Sequence, residues 1–259
     1  MKTWVLFNEK DELLIKHENE TYRLPTDNDW NPDNSSVNEQ GDSPHHIQKD
    51  DWVLRVVDAD IPSSFVRSSL RQSWNLLSSD EYLRAGKAWE LLYWSEETRF
   101  CSRCGKPMNW NSDISLLCSS CGREIWPQLN IAIIVLVQKG HEALLVKAKT
   151  FRRDFFGLVA GFVETGESLE ECVAREVFEE TSLRITNIRY FSSQPWPYPL
   201  GLMVGFHADY LSGEIAFADG ELKEGHFFRA DNLPTIPEGL SMARMLIDDW
   251  VAKERKEQE

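Results

Sequence analysis

The chain has 259 residues, of which 42% are hydrophobic and 27% charged; that is room for two ordinary domains or one large one, and it excludes a wholly disordered or fibrous protein. Acids outnumber bases 42 to 28, for a formal charge of −14. Such a surface excludes broad electrostatic affinity for nucleic acid or anionic lipid, and it repels a small anionic substrate unless a cation intervenes.

The apolar run within Met1–Glu9 is too short for a signal-peptide core. The longest apolar stretch, Ile131–Val137, falls far short of a membrane span. A soluble, cytoplasmic protein with no membrane partner is expected. Residues 1–98 read as a mixed α+β domain. Alternating runs at Thr3–Phe7, Leu13–Lys16 and Trp52–Val57 predict strands of a half-buried sheet. Pro25–Asp51 is polar and carries three prolines, which predicts a long loop with His45 and His46 as loop residues rather than ligands. From Ser63 to Trp94 the apolar residues (Leu70, Trp74, Leu77, Tyr82, Ala85, Trp89, Leu92) take helical spacing. Six of the ten tryptophans lie in this domain, enough for a core, but nothing in it reads as chemistry by itself.

Residues 99–127 form a cysteine module. Cys101-x2-Cys104 and Cys118-x2-Cys121 can turn four thiolates toward one point, a tetrahedral zinc site; disulfides, or a ribbon that has lost its metal, are the alternatives. Gly105 and Gly122 follow the second cysteine of each pair, where a tight turn wants an unhindered backbone. Four cysteines fill every coordination position, so this zinc would be structural, not catalytic. Four basic residues (Arg99, Arg103, Lys106, Arg123) against Asp113 and Glu124 are weak support for nucleic-acid binding, and a folding staple is the better reading.

Residues 128–259 form a third region. Ile131–Val137 is a buried strand, Lys139-Gly140-His141 a turn and Ala143–Ala148 a returning strand. A loop with Gly157 and Gly161 leads into a helix from Leu169 to about Glu180. Strands near Arg184–Phe191, Leu202–Leu211 and His226–Arg229 come next, then an amphipathic helix carrying Met242, Leu246 and Trp250. Ser168 with Glu171 is a capping box that starts the first helix. At about 100° per residue Glu176, Glu179 and Glu180 share one arc of that helix, with Leu169, Cys172 and Val173 over the same arc nearer its start. Three carboxylates at the edge of something buried repel one another unless cations neutralise them, and Mg²⁺ or Mn²⁺ suits such oxygen ligands. Arg175 and Glu179 are an i, i+4 pair that can hold one acid in place. A solvated acidic face is the plain alternative. Cys172 reads as a small buried thiol.

The full spacing decides between them. Gly161, Glu167, Arg175-Glu176-Val177, Glu179-Glu180 and Leu183 resemble the Nudix hydrolase signature at nearly every fixed position. Ser182 stands where the family usually has Gly, at a left-handed helix end where a serine costs roughly 1–2 kcal/mol. The resemblance implies a C-terminal Nudix α/β/α sandwich (128–259) after the zinc ribbon (99–127) and the N-terminal domain (1–98). It implies metal-dependent hydrolysis of a nucleoside diphosphate linked to another group, with Glu176 and Glu180 as metal ligands, Glu179 as ligand or water-orienting base, and the Ala160 carbonyl as a further ligand.

Ser193-Gln194-Pro195-Trp196-Pro197-Tyr198-Pro199 stiffens the backbone around two aromatic rings. It is similar to the array of the NADH pyrophosphatase subfamily, whose members also carry a four-cysteine ribbon before the Nudix domain. Tyr198 here replaces Phe, and Gly201 stands where a Ser usually closes the array. The resemblance implies cleavage of NAD(H) to nicotinamide mononucleotide and AMP, or removal of NAD caps from RNA 5′ ends, by a homodimer. It further implies that Phe162 and Trp126 stack on a base and that Glu221 completes the metal set. Gln194, Pro195, Trp196, Pro197, Tyr198, Pro199, Leu200 and Gly201 would line the pocket, and Ala243, Asp113 and Arg71 would be further substrate contacts. On the residues alone, Phe162 could be core, Trp126 a cap on the ribbon and Glu221 a surface turn acid. Other dinucleotides, such as ADP-ribose or diadenosine phosphates, are the alternative substrates. An RNA-binding protein with a degenerate Nudix fold is the alternative class.

Overall fold

The structure, a computed structural model, describes residues 1–32, 43–149, 154–217, 220–237, 239 and 241–257. The chain divides into two compact units, Met1–Leu129 with Trp196–Leu200, and Asn130–Pro195 with Gly201–Glu259.

In the first unit β1 (Thr3–Asn8), β2 (Glu12–Glu18), β3 (Thr21–Arg23), β4 (His45–Gln48) and β5 (Asp51–Val56) form a sheet in the order β3-β2-β1-β5-β4, with β6 (Phe65–Ser69) also on β2. Strand alternation sorts its side chains. Val5, Phe7, Leu13 and Ile15 pack with Ala85, Ala88, Leu91 and Leu92 of helix α2 (Ser79–Glu97), whereas Trp4, Leu6, Leu14, Leu54 and Phe65 form a separate cluster with Trp30. Ser78 and Glu81 close a capping box at the start of α2. Glu81 also accepts the Leu24 backbone N–H at 2.9 Å, so the cap ties helix to sheet. Arg84 of α2 grips the buried carboxylate of Asp51 with Nε at 2.8 Å. The ribbon comes after α2 as β7 (Met108–Ser112), β8 (Ser115–Cys118) and β9 (Glu124–Ile125).

Two expectations for this unit need correcting. Helical spacing from Ser63 onward holds only from Leu70, where the short α1 (Leu70–Ser73) starts. Before it, Phe65–Ser69 is a strand, because its residues pair antiparallel with Glu12–Lys16 and satisfy the edge of β2. The polar stretch Pro25–Asp51 is not all loop: His45 and His46 lie in β4, paired with Val53 and Trp52 of β5. Residues 33–42 of that stretch lie outside the described residues.

The second unit is a sheet in the order β13-β14-β10-β11-β15, built from β10 (Asn130–Lys139), β11 (Glu142–Ala148), β13 (Arg184–Pro195), β14 (Gly201–Ser212) and β15 (Leu222–Arg229). Its central strand is apolar on both faces. Ile133, Val135 and Val137 pack with Val173 and Val177 of α3 (Leu169–Thr181), and Ile134 and Leu136 pack with Met242, Leu246 and Trp250 of α4 (Met242–Glu257). This is the expected α/β/α sandwich. Among the described residues no helix is long and apolar enough to cross a membrane.

The segment read as a loop before α3 holds a further strand, β12 (Val159–Phe162), antiparallel to β10. A four-residue strand interrupted by glycine gives too little alternation to be legible. The array likewise begins in regular structure, since Ser193, Gln194 and Pro195 pair with Val204, Met203 and Leu202; only Trp196–Leu200 leaves the sheet. The Ser168–Glu171 capping box forms, and Ser182 ends α3 at φ 60°. Replacing Ser182 with Gly should raise stability by roughly 0.5–1 kcal/mol, read as a rise in Tm, because glycine adopts this backbone without Cβ strain.

Candidate active site

The four cysteines form two matching knuckles. Gly105 N–H bonds the Cys101 carbonyl at 2.8 Å and Gly122 N–H the Cys118 carbonyl at 2.9 Å. Both glycines have positive φ, 70° and 71°, which a side chain would strain. The Sγ atoms lie 3.6 Å apart for Cys101 and Cys121 and 3.5 Å for Cys104 and Cys118. That is too far for a disulfide, and close to the edge of about 3.8 Å of a tetrahedron with ~2.3 Å Zn–S bonds. Backbone N–H groups, Arg103 for Cys101 and Cys121 for Cys118, draw those two thiols below their ordinary range. The donor set fits zinc. The ligand atoms of these four side chains all lie within 4.8 Å of one another. The site is structural, as all four positions are filled by protein.

The loop and helix in the second unit carry the other cluster. A Cβ on Gly161 would fall inside the Glu176 carboxylate, so glycine is required there by the approach of the acid. Val163 N–H bonds the Ile131 carbonyl at 2.9 Å. With alternation along an antiparallel pair, Gly161 then bonds β10, and Ala160 and Phe162 turn their carbonyls away from it. The Phe162 carbonyl accepts from Arg175 Nη2 at 3.0 Å and from the Cys172 thiol at 3.5 Å. The Ala160 carbonyl, two residues earlier, points to the same free edge.

Arg175 is the hub. It reaches Glu176 at 2.8 Å, Glu179 at 3.0 Å and Glu167 at 2.7 Å. Its guanidinium holds the Glu167 carboxyl at about 2, well below the ordinary carboxylate range. Burial pushes Glu176 the other way, upward, and the charges of Glu179 and Glu221 add to it. Glu180 is buried at 5% exposure, whereas Glu179 and Glu221, the latter just before β15, are exposed. Asp219 beside it lies outside the described residues. Glu167, a fixed position of the signature to which the sequence attached no role, is a positioning residue: it sits eight residues before Arg175 and outside the helix, so no i, i+4 rule points to their pairing. Three raised or exposed carboxylates (Glu176, Glu179 and Glu221), buried Glu180 and a free-edge carbonyl, with one arginine for company, are hard oxygen donors that fit Mg²⁺ or Mn²⁺.

A Gly161→Ala protein should keep most of its stability yet lose about 10²-fold in kcat/KM, because the methyl displaces Glu176. A kinetic assay beside a thermal melt checks it.

The remaining predicted residues divide between the units. Phe162 and Trp126 are 66% and 52% exposed, which removes the core reading for Phe162; Trp126 belongs to the first unit and Phe162 to the second. Ala243 is buried against the sheet in the same cluster as Ala160. Asp113, at the β7–β8 turn, accepts from His46 Nδ1 at 2.8 Å, and its carbonyl is 3.0 Å from His45 Nε2. The two histidines are thus structural contacts. Cys172 is fully buried, and burial lifts its thiol to about 12. Gln194 and Gly201 are buried at the two strand ends, Pro195 and Pro199 are exposed, and Pro197 and Leu200 are buried.

A NUDIX domain profile matches residues 126–248, and an NADH pyrophosphatase zinc ribbon domain profile matches residues 96–125. The chain is 39% identical over 198 residues to a protein of Stutzerimonas stutzeri named NAD-capped RNA hydrolase NudC, covering 76% of this chain and 71% of that one. It is 41% identical over 177 residues to a protein of the same name from Pseudomonas putida, covering 67% and 63%. The chain thus spans 63% to 71% of the length of these relatives. A crystal structure of a NUDIX hydrolase from Nitrosomonas europaea superposes with a TM-score of 0.50 at 22% identity, over 61% of this chain and 92% of that one; this likeness concerns the fold alone.

Proposed function

Because this chain belongs to the Nudix hydrolase family and carries the zinc ribbon of its NADH pyrophosphatase branch, we propose that it hydrolyses the pyrophosphate bond of NAD(H) to nicotinamide mononucleotide and AMP and removes NAD caps from RNA 5′ ends. The observation that carries the reading is the Glu176 carboxylate seated over Gly161 and held by Arg175. Glu176, Glu179, Glu180, Glu221 and the Ala160 carbonyl are the residues to hold Mg²⁺ or Mn²⁺. Such ions neutralise pyrophosphate charge and lower the pKa of a bound water. Arg175 fixes the rotamers of Glu176 and Glu179 through hydrogen bonds to both carboxylates; exposed Glu179 is the residue to orient water and take its proton. Trp126 and Phe162, both exposed, offer faces on which a base stacks. Gln194 to Gly201, Asp113, Ala243 and Arg71 are the further proposed substrate contacts.

The parts are 1–98, 99–127 and 128–259, acting as a cytoplasmic homodimer. The test supplies NADH, NAD-capped RNA and ADP-ribose in turn with Mg²⁺ or Mn²⁺. Hydrolysis of the first two above ADP-ribose is expected; preference for ADP-ribose would move the reading to other dinucleotides, and no turnover of any would overturn it.

A further inference from the structure

The segment Trp196–Leu200 leaves the β13–β14 connection of the second unit but packs with the first. Its contacts there come mainly from α1 and α2. The Tyr198 hydroxyl hydrogen-bonds the Tyr82 hydroxyl. Tyr82 is 9% exposed, and Trp74 meets its ring edge-on at 5.2 Å, so it is a fixed partner. The Arg71 guanidinium lies over the Tyr198 ring at 4.3 Å and the Trp196 ring at 5.3 Å. These two rings meet edge to face at 5.1 Å. Gly86 leaves just enough room for Pro197: a Cβ there would come 3.1 Å from the proline Cγ. Leu200 is buried with Trp94 and the ribbon residues Met108 and Leu116.

Gly86 sits in the interior of α2, where glycine costs roughly 0.5–1 kcal/mol relative to alanine. Helix formation does not ask for it, and proximity to Pro197 does. Tyr198 is also the position at which this array departs from the usual Phe. The hydroxyl that the departure adds is the atom that finds Tyr82.

From these contacts we propose that Tyr82 and Gly86 of α2 are positioning residues that set the placement of the Trp196–Leu200 pocket wall, so that the N-terminal domain tunes substrate binding without touching the metal chemistry. The inference rests on the proposed role of that segment in lining the pocket. Neither residue contacts substrate; each acts through the segment.

The test uses the full-length protein and NADH with Mn²⁺, comparing wild type with Gly86→Ala, Tyr82→Phe, Tyr198→Phe and the Tyr82→Phe/Tyr198→Phe pair. Gly86→Ala should keep or raise Tm while KM rises about threefold to tenfold and kcat holds, a combination that simple loss of structure does not give. Each single Phe variant leaves one hydroxyl without its partner and should raise KM. The double variant removes both hydroxyls and should return KM toward wild type. Unchanged KM in Gly86→Ala, or additive effects in the double variant, overturns the proposal. Wild type that fails to hydrolyse NADH instead overturns the functional reading, which is a distinct result.

Discussion

Glu180→Gln protein should fold like wild type and lose about 10³-fold in kcat/KM, equivalent to ~4 kcal/mol of transition-state stabilisation. The substitution keeps the volume of a side chain that is 5% exposed and removes only its charge. Glu176→Gln should behave alike, with a further signature in pH. Burial raises the Glu176 carboxyl above its ordinary range in the metal-free protein. A proton and a divalent cation therefore compete for it at a pH where a free glutamate is already ionised. As pH falls through that raised value the site takes the proton, so the metal concentration needed for half activity should climb. For stability the sign is opposite to that of a paired acid: metal-free protein loses stability as pH rises through the raised value, and Mg²⁺ or Mn²⁺ should raise Tm more at high pH than at low. Full turnover in Glu180→Gln, or a metal requirement flat with pH, would count against this donor set. The charge of −14 gives the same expectation at larger scale: a chain this acidic repels a pyrophosphate until cations are in place.

Removing zinc should have the second large effect, and on structure rather than chemistry. Structural zinc contributes an apparent ~10–16 kcal/mol to folding of small zinc modules at neutral pH. The ribbon has little else: its cluster is Cys101, Met108, Leu116 and Cys118 against Trp94 and Leu200. Cys118→Ser, with a ligand that is fully buried, should lower Tm by at least ~10 °C and change the fluorescence of Trp94 and Trp110, which meet edge-on at 5.8 Å. Metal analysis of wild type should find one zinc per chain, and Mg²⁺ should not restore the variant. A variant that melts with wild type would show that the ribbon is not stapled by metal.

Much of the site was legible because it is local. Two cysteine pairs at fixed spacing, a capping box and an acidic arc are properties of single turns, and Gly161 with Glu176 belongs to one loop-helix. The buried strand Ile131–Val137 and the final helix were also readable, since continuous apolar character and 3.6-residue spacing survive without knowledge of neighbours. The strands at Phe65–Ser69, His45–Gln48 and Val159–Phe162 were not, as they are short and owe their form to a partner strand already in place rather than to their own alternation. The pairing of Glu167 with Arg175 was not legible for a similar reason, because it is made through the fold of a loop and not through a helical repeat.

Local spacing carries the chemistry: four thiolates for zinc, carboxylates for a hard cation, and the signature of the Nudix family with its hydrolytic reaction. Tertiary structure decided which groups those residues meet. It put Glu176 over Gly161, gathered Glu167, Glu176 and Glu179 on one arginine, and set Trp196–Leu200 among the side chains of α1 and α2. Spacing can encode ligands on one turn of backbone, but a contact between Tyr82 and Tyr198 depends on how distant segments pack, and no local period records that.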